Sequence, residues 1–298
     1  MSDERRLPMV QAAGAGAPPI FEKVAIIGLG LVGGSIALAA RETWPAGLVI
    51  AVDNKNVLEQ AIVKHAIDVA ADEPYVIADA DLVILAAPVR QNLRLLDRLG
   101  EHIDRAAVVT DVGSTKRAIV GAARRLPARF TFVGGHPLGG GSRGGFEAAR
   151  SDLFQGRPWI FTPHGETGGE ALDKLYAFVS GLGAVPKTMG AAEHDRVLAF
   201  LSHLPQLAAS ALMEVVGTGA ADALPLAGRG LVDTTRLAGS PPGIWQDIAA
   251  TNADEIRPAL DALIARLTDL RDGLGRDDVI ERLFTAAARY RSRLMDDR

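Results

Sequence analysis

Short β-branched apolar runs alternate with amphipathic stretches over the first 190 residues. Residues 23–28 (KVAIIG), 48–53 (LVIAVD), 81–87 (DLVILAA) and 107–111 (AVVTD) have no polar side to turn toward water. Runs of this kind are parallel strands covered on both faces. Residues 130–134 and 159–162 predict two further strands, and residues 186–189 an edge strand. Between them, helical spacing falls at residues 32–42, 56–64, 92–101, 116–125 and 170–180. Strands alternating with helices of this length predict a parallel sheet with helices on both faces.

Near Gly190 the pattern changes. Residues 191–216 form one apolar-rich helical stretch, further helical patterns cover 258–274 and 277–295, and no strand-like run follows. The expected organisation is a tail over residues 1–20, a Rossmann-type doubly wound α/β domain over 21–189, and an all-helical domain over 190–298. The tail is expected to be flexible, being rich in Ala, Gly and Pro and lacking an apolar signal core.

Composition narrows the function. The 298 residues contain no cysteine, which excludes disulfides, thiolate metal sites and a cysteine nucleophile. The net charge of −4 comes without a basic block, so no nucleic-acid partner is expected. No run of 18 apolar residues occurs, and a cytoplasmic protein without a membrane span is expected.

The first candidate site is Gly28-Leu29-Gly30-Leu31-Val32-Gly33, a G-x-G-x-x-G turn between a strand and a helix. Glycines here let the backbone approach a pyrophosphate seated on a helix N-terminus. Asp53 ends the second strand, twenty positions after Gly33, where an acid bonds the ribose hydroxyls and repels a 2′-phosphate. NAD is therefore expected ahead of NADP, with Ala87 and Pro88 lying along the cofactor.

A dehydrogenase needs a base for the substrate hydroxyl, and histidine suits neutral pH. Of six histidines, His65, His102 and His164 read as structural. His136 lies just after a strand in a glycine-rich setting, Gly134-Gly135-His136-Pro137-Leu138-Gly139, and is the candidate base. Ser114 is either a helix N-cap or the group orienting His136. On the long helix, Asp195, Ser202 and Gln206 fall within about 20° of one direction, forming a polar stripe for a substrate or for neighbouring helices. His194 and His203 are nine apart, which in a regular helix puts them on opposite faces. Pro205 frees the Leu201 carbonyl and predicts a bend near Ser202. Arg236, nine residues before Trp245, is either a carboxylate clamp or half of a surface ion pair. No metal-ligand cluster is visible.

Taken together, GLGLVGGS, VTDVGSTK, GGHPLGG, LFxGRPWIFTP, EHDRVLAFLSHLP and DTTRLAGSPPGIW resemble the prephenate/arogenate dehydrogenase family over residues 22–275. The resemblance implies a Rossmann domain plus a helical domain that intertwines two subunits, so a homodimer. It implies NAD(P)-dependent oxidative decarboxylation of a cyclohexadienol, prephenate or arogenate, leading to tyrosine. By motif, His136 matches the base, Ser114 its orienting partner, and Arg236 the residue that binds a substrate carboxylate. Ser202, His203 and Trp245 fall in the substrate-side motifs.

The chain departs from the family pattern in two places. Gln206 stands where many prephenate-using members have the last histidine of Ser-His-Leu-Pro-His, which leaves arogenate open as a substrate. Gly139-Gly140-Gly141 replaces a common Ala-Gly-Thr/Ser, which predicts a more mobile loop. With helices at its end and no further domain, tyrosine inhibition would act at the active site. The competing expectations are another two-domain hydroxyacid dehydrogenase and a non-catalytic NAD sensor. The first is disfavoured because residues 191–217 contain no lysine to act as acid/base.

Overall fold

The computed structural model describes residues 18–141, 143–165 and 169–296. Most of the expected tail lies outside the described residues. The α/β part is built from β1 (Lys23–Ile27), α1 (Leu31–Thr43), β2 (Leu48–Val52), α2 (Lys55–Val63), β3 (Val69–Ala71), β4 (Leu82–Leu85), α3 (Val89–Arg98), β5 (Ala107–Asp111), α4 (Arg117–Ala123), β6 (Phe130–Pro137), β7 (Pro158–Thr162), α5 (Gly169–Gly181) and β8 (Val185–Thr188). The eight strands form one sheet in the order β3-β2-β1-β4-β5-β6-β7-β8. Every neighbouring pair is parallel except β6–β7.

Alternate residues of each central strand feed two separate apolar layers. Val24 and Ile26 point to the layer under α1 and α5, while Ala25 and Ile27 point to the layer with Leu96 and Ile119. Burial on both faces is why these strands read as continuous apolar runs. The α1 layer is closed at its edge by Trp44, stacked on Phe178 with ring centroids 5.1 Å apart.

Two details differ from the sequence reading. β3 was not predicted; three residues of Val-Ala-Ala carry too little pattern. β6 runs on through His136 to Pro137, so the candidate base sits within a strand, paired opposite Ile160 of antiparallel β7. Gly134 and Gly135 look like loop residues by type, but packing requires them: a Cβ on Gly135 would lie 2.6 Å from the Asp111 carbonyl oxygen.

The second part is helical throughout its described residues: α6 (Ala191–Leu198), a π segment (Ala199–His203), α7 (Leu204–Gly219), α8 (Arg229–Thr234), α9 (Pro242–Asp272) and α10 (Asp277–Asp296). α9 starts well before the predicted residue 258. It kinks at Asn252, whose φ of −138° and ψ of 24° leave the helical region. By length and composition, residues 191–219 would suffice to cross a membrane. Yet the same stretch buries His194, Asp195, His203 and Gln206, each bonded to groups elsewhere in the chain. Its own apolar core is small, centred on Ala199, Ile248 and Ile256. Large apolar side chains are left exposed, among them Leu201, Val215, Leu226 and Phe284.

A polar seam joins the two parts. Arg90 pairs with Asp247, Arg117 with Asp254, and the backbone N–H groups of Lys116 and Arg117 donate to Asp195 at 2.7 and 2.9 Å. In each pair the carboxylate belongs to the helical part.

Candidate active site

Gly28 turns the chain from β1 into α1 at a φ of +99°, a conformation that side-chain-bearing residues rarely adopt. A Cβ there would also lie 2.8 Å from the Ala86 carbonyl carbon and from the Ala87 nitrogen. Gly30, the N-cap position of α1, has no side-chain cap, and a Cβ placed on it would meet nothing within 4 Å. The first and third glycines thus permit packing, and the second leaves space over the free N–H groups of a 13-residue helix. Such a place accepts a pyrophosphate. Asp53 follows β2 directly. One of its oxygens accepts from Leu29 N and the other from Asn54 N, both at 2.6 Å, so the carboxylate is fixed beside the loop. Ala87 lies just past the C-terminal end of β4 against Gly28, and Pro88 follows it at the N-cap position of α3. These residues fit a dinucleotide.

His136 is buried and has a specific partner: its Nδ1 lies 2.8 Å from Nε2 of His194. His194 Nδ1 in turn lies 2.8 Å from Oδ1 of Asp195. The protons in this chain can be placed. A carboxylate only accepts, so His194 carries its hydrogen on Nδ1 and presents a lone pair at Nε2. His136 must then donate from Nδ1, which leaves its Nε2 as an unprotonated lone pair. Burial, followed by the neighbouring His194, Lys116 and His203, holds the His136 pKa well below the usual imidazole value. His194 is also lowered, chiefly by burial, so both rings are neutral near pH 7.

Neither His194 nor Asp195 was assigned a role beside His136 from sequence. The regular-helix geometry that put His194 and His203 on opposite faces fails at the π segment. A π turn is wider than an α turn, so five residues of it set the following helix back by roughly a quarter turn. The two rings are then about a quarter turn apart rather than on opposite faces. Asp195 was placed on a stripe with Ser202 and Gln206. It instead accepts from Lys116 N, Arg117 N and His194, so its carboxylate is engaged by the protein itself and not by a substrate.

Lys116 is fully buried, bonded to Asp111 and, at 2.6 Å, to the Gly135 carbonyl. Burial lowers its pKa and Asp111 opposes the shift. With both partners engaged, it fixes β5 against β6 just before His136. Ser114 is half-buried two residues before the α4 N-cap position, which Lys116 occupies without a side-chain cap. The helix-cap alternative for Ser114 is therefore not realised, and the group bonded to His136 Nδ1 is His194.

On the helical side, Ser202, Gln206, Arg236 and Trp245 line one cavity of about 400 Å³ with Gly140 and Gly141 of the loop after β6. Arg236 is exposed and has no ion-pair partner among the described residues, so the surface ion pair considered for it is absent there. Both amide hydrogens of Gln206 are used, one to the Leu237 carbonyl at 2.7 Å and one to Ser210 Oγ at 3.3 Å. Gln206 therefore ties the turn that carries Arg236 to α7 and forms cavity wall. His203 is buried edge-on to Trp245, with ring centroids 6.2 Å apart. Burial brings its pKa down to about 4. A larger cleft of about 690 Å³ between α9 and α10 contains none of these groups. Among the described residues no cluster of metal-ligating side chains occurs.

A nucleotide-binding sheet, a neutral buried histidine on its strand β6 and an arginine-lined cavity under a helical domain define a two-domain dehydrogenase. The family model of the prephenate dehydrogenase nucleotide-binding domain matches residues 36–187, and that of the prephenate dehydrogenase dimerization domain matches residues 190–286. The chain belongs to the prephenate dehydrogenase family. It is 34% identical to prephenate dehydrogenase of Bacillus subtilis over 92% of this chain and 76% of that protein. It is 32% identical to cyclohexadienyl dehydrogenase of Zymomonas mobilis over 87% and 90%. Among solved structures, prephenate dehydrogenase from A. aeolicus in complex with hydroxyphenyl propionate and NAD+ superposes with a TM-score of 0.83 at 28% identity, covering 91% of this chain and 98% of that one. Synechocystis arogenate dehydrogenase gives 0.76 at 29% identity, covering 91% and 99%.

Proposed function

We propose that this enzyme catalyses the NAD-dependent oxidative decarboxylation of a cyclohexadienol, prephenate or arogenate or both, in tyrosine biosynthesis. The observation that carries the reading is the relay from Asp195 through His194 to His136, which leaves a lone pair at His136 Nε2. That atom takes the proton of the ring hydroxyl. Bound NAD supplies the hydride acceptor, held by the 28–33 loop, Asp53, Ala87 and Pro88. As hydride leaves the ring carbon, the ring carboxylate departs as carbon dioxide, and aromatisation draws the reaction forward. The imidazolium formed at His136 is stabilised through His194 by the Asp195 carboxylate and returns its proton to the phenolate oxygen left by aromatisation, which restores the base.

Arg236 binds a substrate carboxylate as a planar two-pronged donor. Ser202 and Trp245 complete the pocket, His203 packs against Trp245, and Ser114, which follows β5, is assigned to the cofactor side. Asp53 favours NAD over NADP by repelling a 2′-phosphate. The exposed apolar side chains of the helical part form the contact of a homodimer, in keeping with the dimerization domain matched there. The cytoplasm is the expected compartment. The hydroxyacid dehydrogenase alternative needs a free lysine as acid/base, and Lys116 is fully engaged.

The test is NADH production with prephenate and arogenate, each with NAD and with NADP. Turnover of neither substrate with NAD would refute the reading. Equal turnover with NADP would remove the role given to Asp53.

A further inference from the structure

His203 presents a problem of proton placement that its neighbours solve. Its side chain is fully buried, and its Nε2 has no hydrogen-bond partner. Its Nδ1 lies 3.3 Å from Nδ2 of Asn252, also fully buried. The orientation of the Asn252 amide is set by two other contacts. Arg117 Nη2 donates to its oxygen at 3.0 Å, and its nitrogen donates to the Asp195 backbone carbonyl at 2.9 Å. Turning the amide over would set NH₂ against a guanidinium and oxygen against a carbonyl. The NH₂ group therefore faces His203, and because it can only donate, Nδ1 of His203 must be the acceptor. The imidazole hydrogen is forced onto Nε2.

We propose that Asn252 is a positioning residue that fixes His203 as a neutral Nε2–H donor toward a substrate oxygen in the cavity beside Trp245. A buried N–H without a partner is costly unless a ligand accepts from it. The ring lies against Trp245, which lines the cavity with Arg236. The ligand class is an oxygen acceptor, either a carboxylate or a keto oxygen. Burial keeps the ring neutral, so the contact is a hydrogen bond and leaves the full positive charge of the pocket to Arg236. Asn252 can reach His203 because it occupies the kink of α9. Arg117, on α4, extends the arrangement into the nucleotide-binding part.

The proposal rests on the cavity being the substrate site, and its experiment separates the two. Proton-detected ¹⁵N spectra of the histidine-labelled enzyme distinguish the tautomers, with His203→Gln used to assign the resonance. The native enzyme is expected to carry the hydrogen of His203 on Nε2. In Asn252→Asp, an acceptor-only group draws it to Nδ1, and KM is expected to rise about tenfold while kcat changes less than about twofold. Asn252→Ala, in which both tautomers populate, serves if the aspartate variant does not fold. A native Nδ1–H tautomer, or one unmoved by both substitutions, overturns the assignment. A changed tautomer with KM unaltered overturns the donor role. Failure of the native enzyme to turn over either cyclohexadienol would count against the reaction, while the spectra would still decide the role of Asn252.

Discussion

His136 is a base because its surroundings leave it no other form. Replacing it with Asn keeps the size and the Nδ1-side hydrogen but removes the Nε2 lone pair. Steady-state turnover is expected to fall roughly 10²–10⁴-fold, the usual worth of a positioned base, with NAD affinity retained. Unchanged turnover would disprove the assignment. The depressed pKa has a consequence for pH dependence. The active species is the neutral one, so kcat/KM should stay flat from neutrality down past the ordinary imidazole range and fall only below it. A profile with an acid limb centred near 6.5 would contradict that environment. Arg236→Ala should raise KM by about 10²-fold, the loss of a charge-assisted pair of bonds, and an unaltered KM would remove the clamp.

At the scale of elements, the legible parts were those whose pattern comes from burial alone. β1, β2, β4 and β5 lie between two apolar layers and could hardly be read otherwise. The glycine turn was legible because its residue types follow from steric demands. Three features were not legible for identifiable reasons. β3 is too short to show a pattern. The end of β6 is glycine-rich because of what crowds it in space, which sequence does not display. The placement of His203 depends on the π segment that follows α6, and no residue type announces an extra-wide turn, although Pro205 marked the place. Arg236, Ser202 and Trp245 line one cavity, whereas Asp195 and Gln206 are bonded within the protein itself. The π segment can be tested directly. Deleting Leu201, whose side chain is largely exposed, should restore an α-helical phase and carry His203 away from His136. Activity is expected to drop at least about 10²-fold with helical circular dichroism kept, since small misplacements at a reacting centre cost that much. Retained activity would show that the π geometry is dispensable.

At the scale of the molecule, His136, His194 and His203 all have pKa values lowered by burial. The unfolded chain therefore binds more protons than the folded one once pH drops through the ordinary histidine range near 6.5. Stability is fully present above that value and is lost as pH falls toward 4. The melting temperature should decline steadily between pH 7 and 5; a constant value would mean that these rings are not buried neutral. The exposed apolar side chains of the helical part predict a dimer in sedimentation velocity. Val215→Glu, on an exposed face of α7, should shift it toward monomer. A monomeric native enzyme at micromolar concentration would refute this.

The seam has a consequence for how such proteins can be recombined. Its carboxylates, Asp195, Asp247 and Asp254, all come from one side, and the groups they hold, Arg90, Arg117 and two helix-start amides, all come from the other. The two domains thus fit as a polarised plug and socket. A helical domain grafted from a relative would work only if it brought the same three acids in register. A graft lacking the acid at position 195 would lose the attachment and the proton relay in one stroke, so assembly and catalysis have to be inherited together.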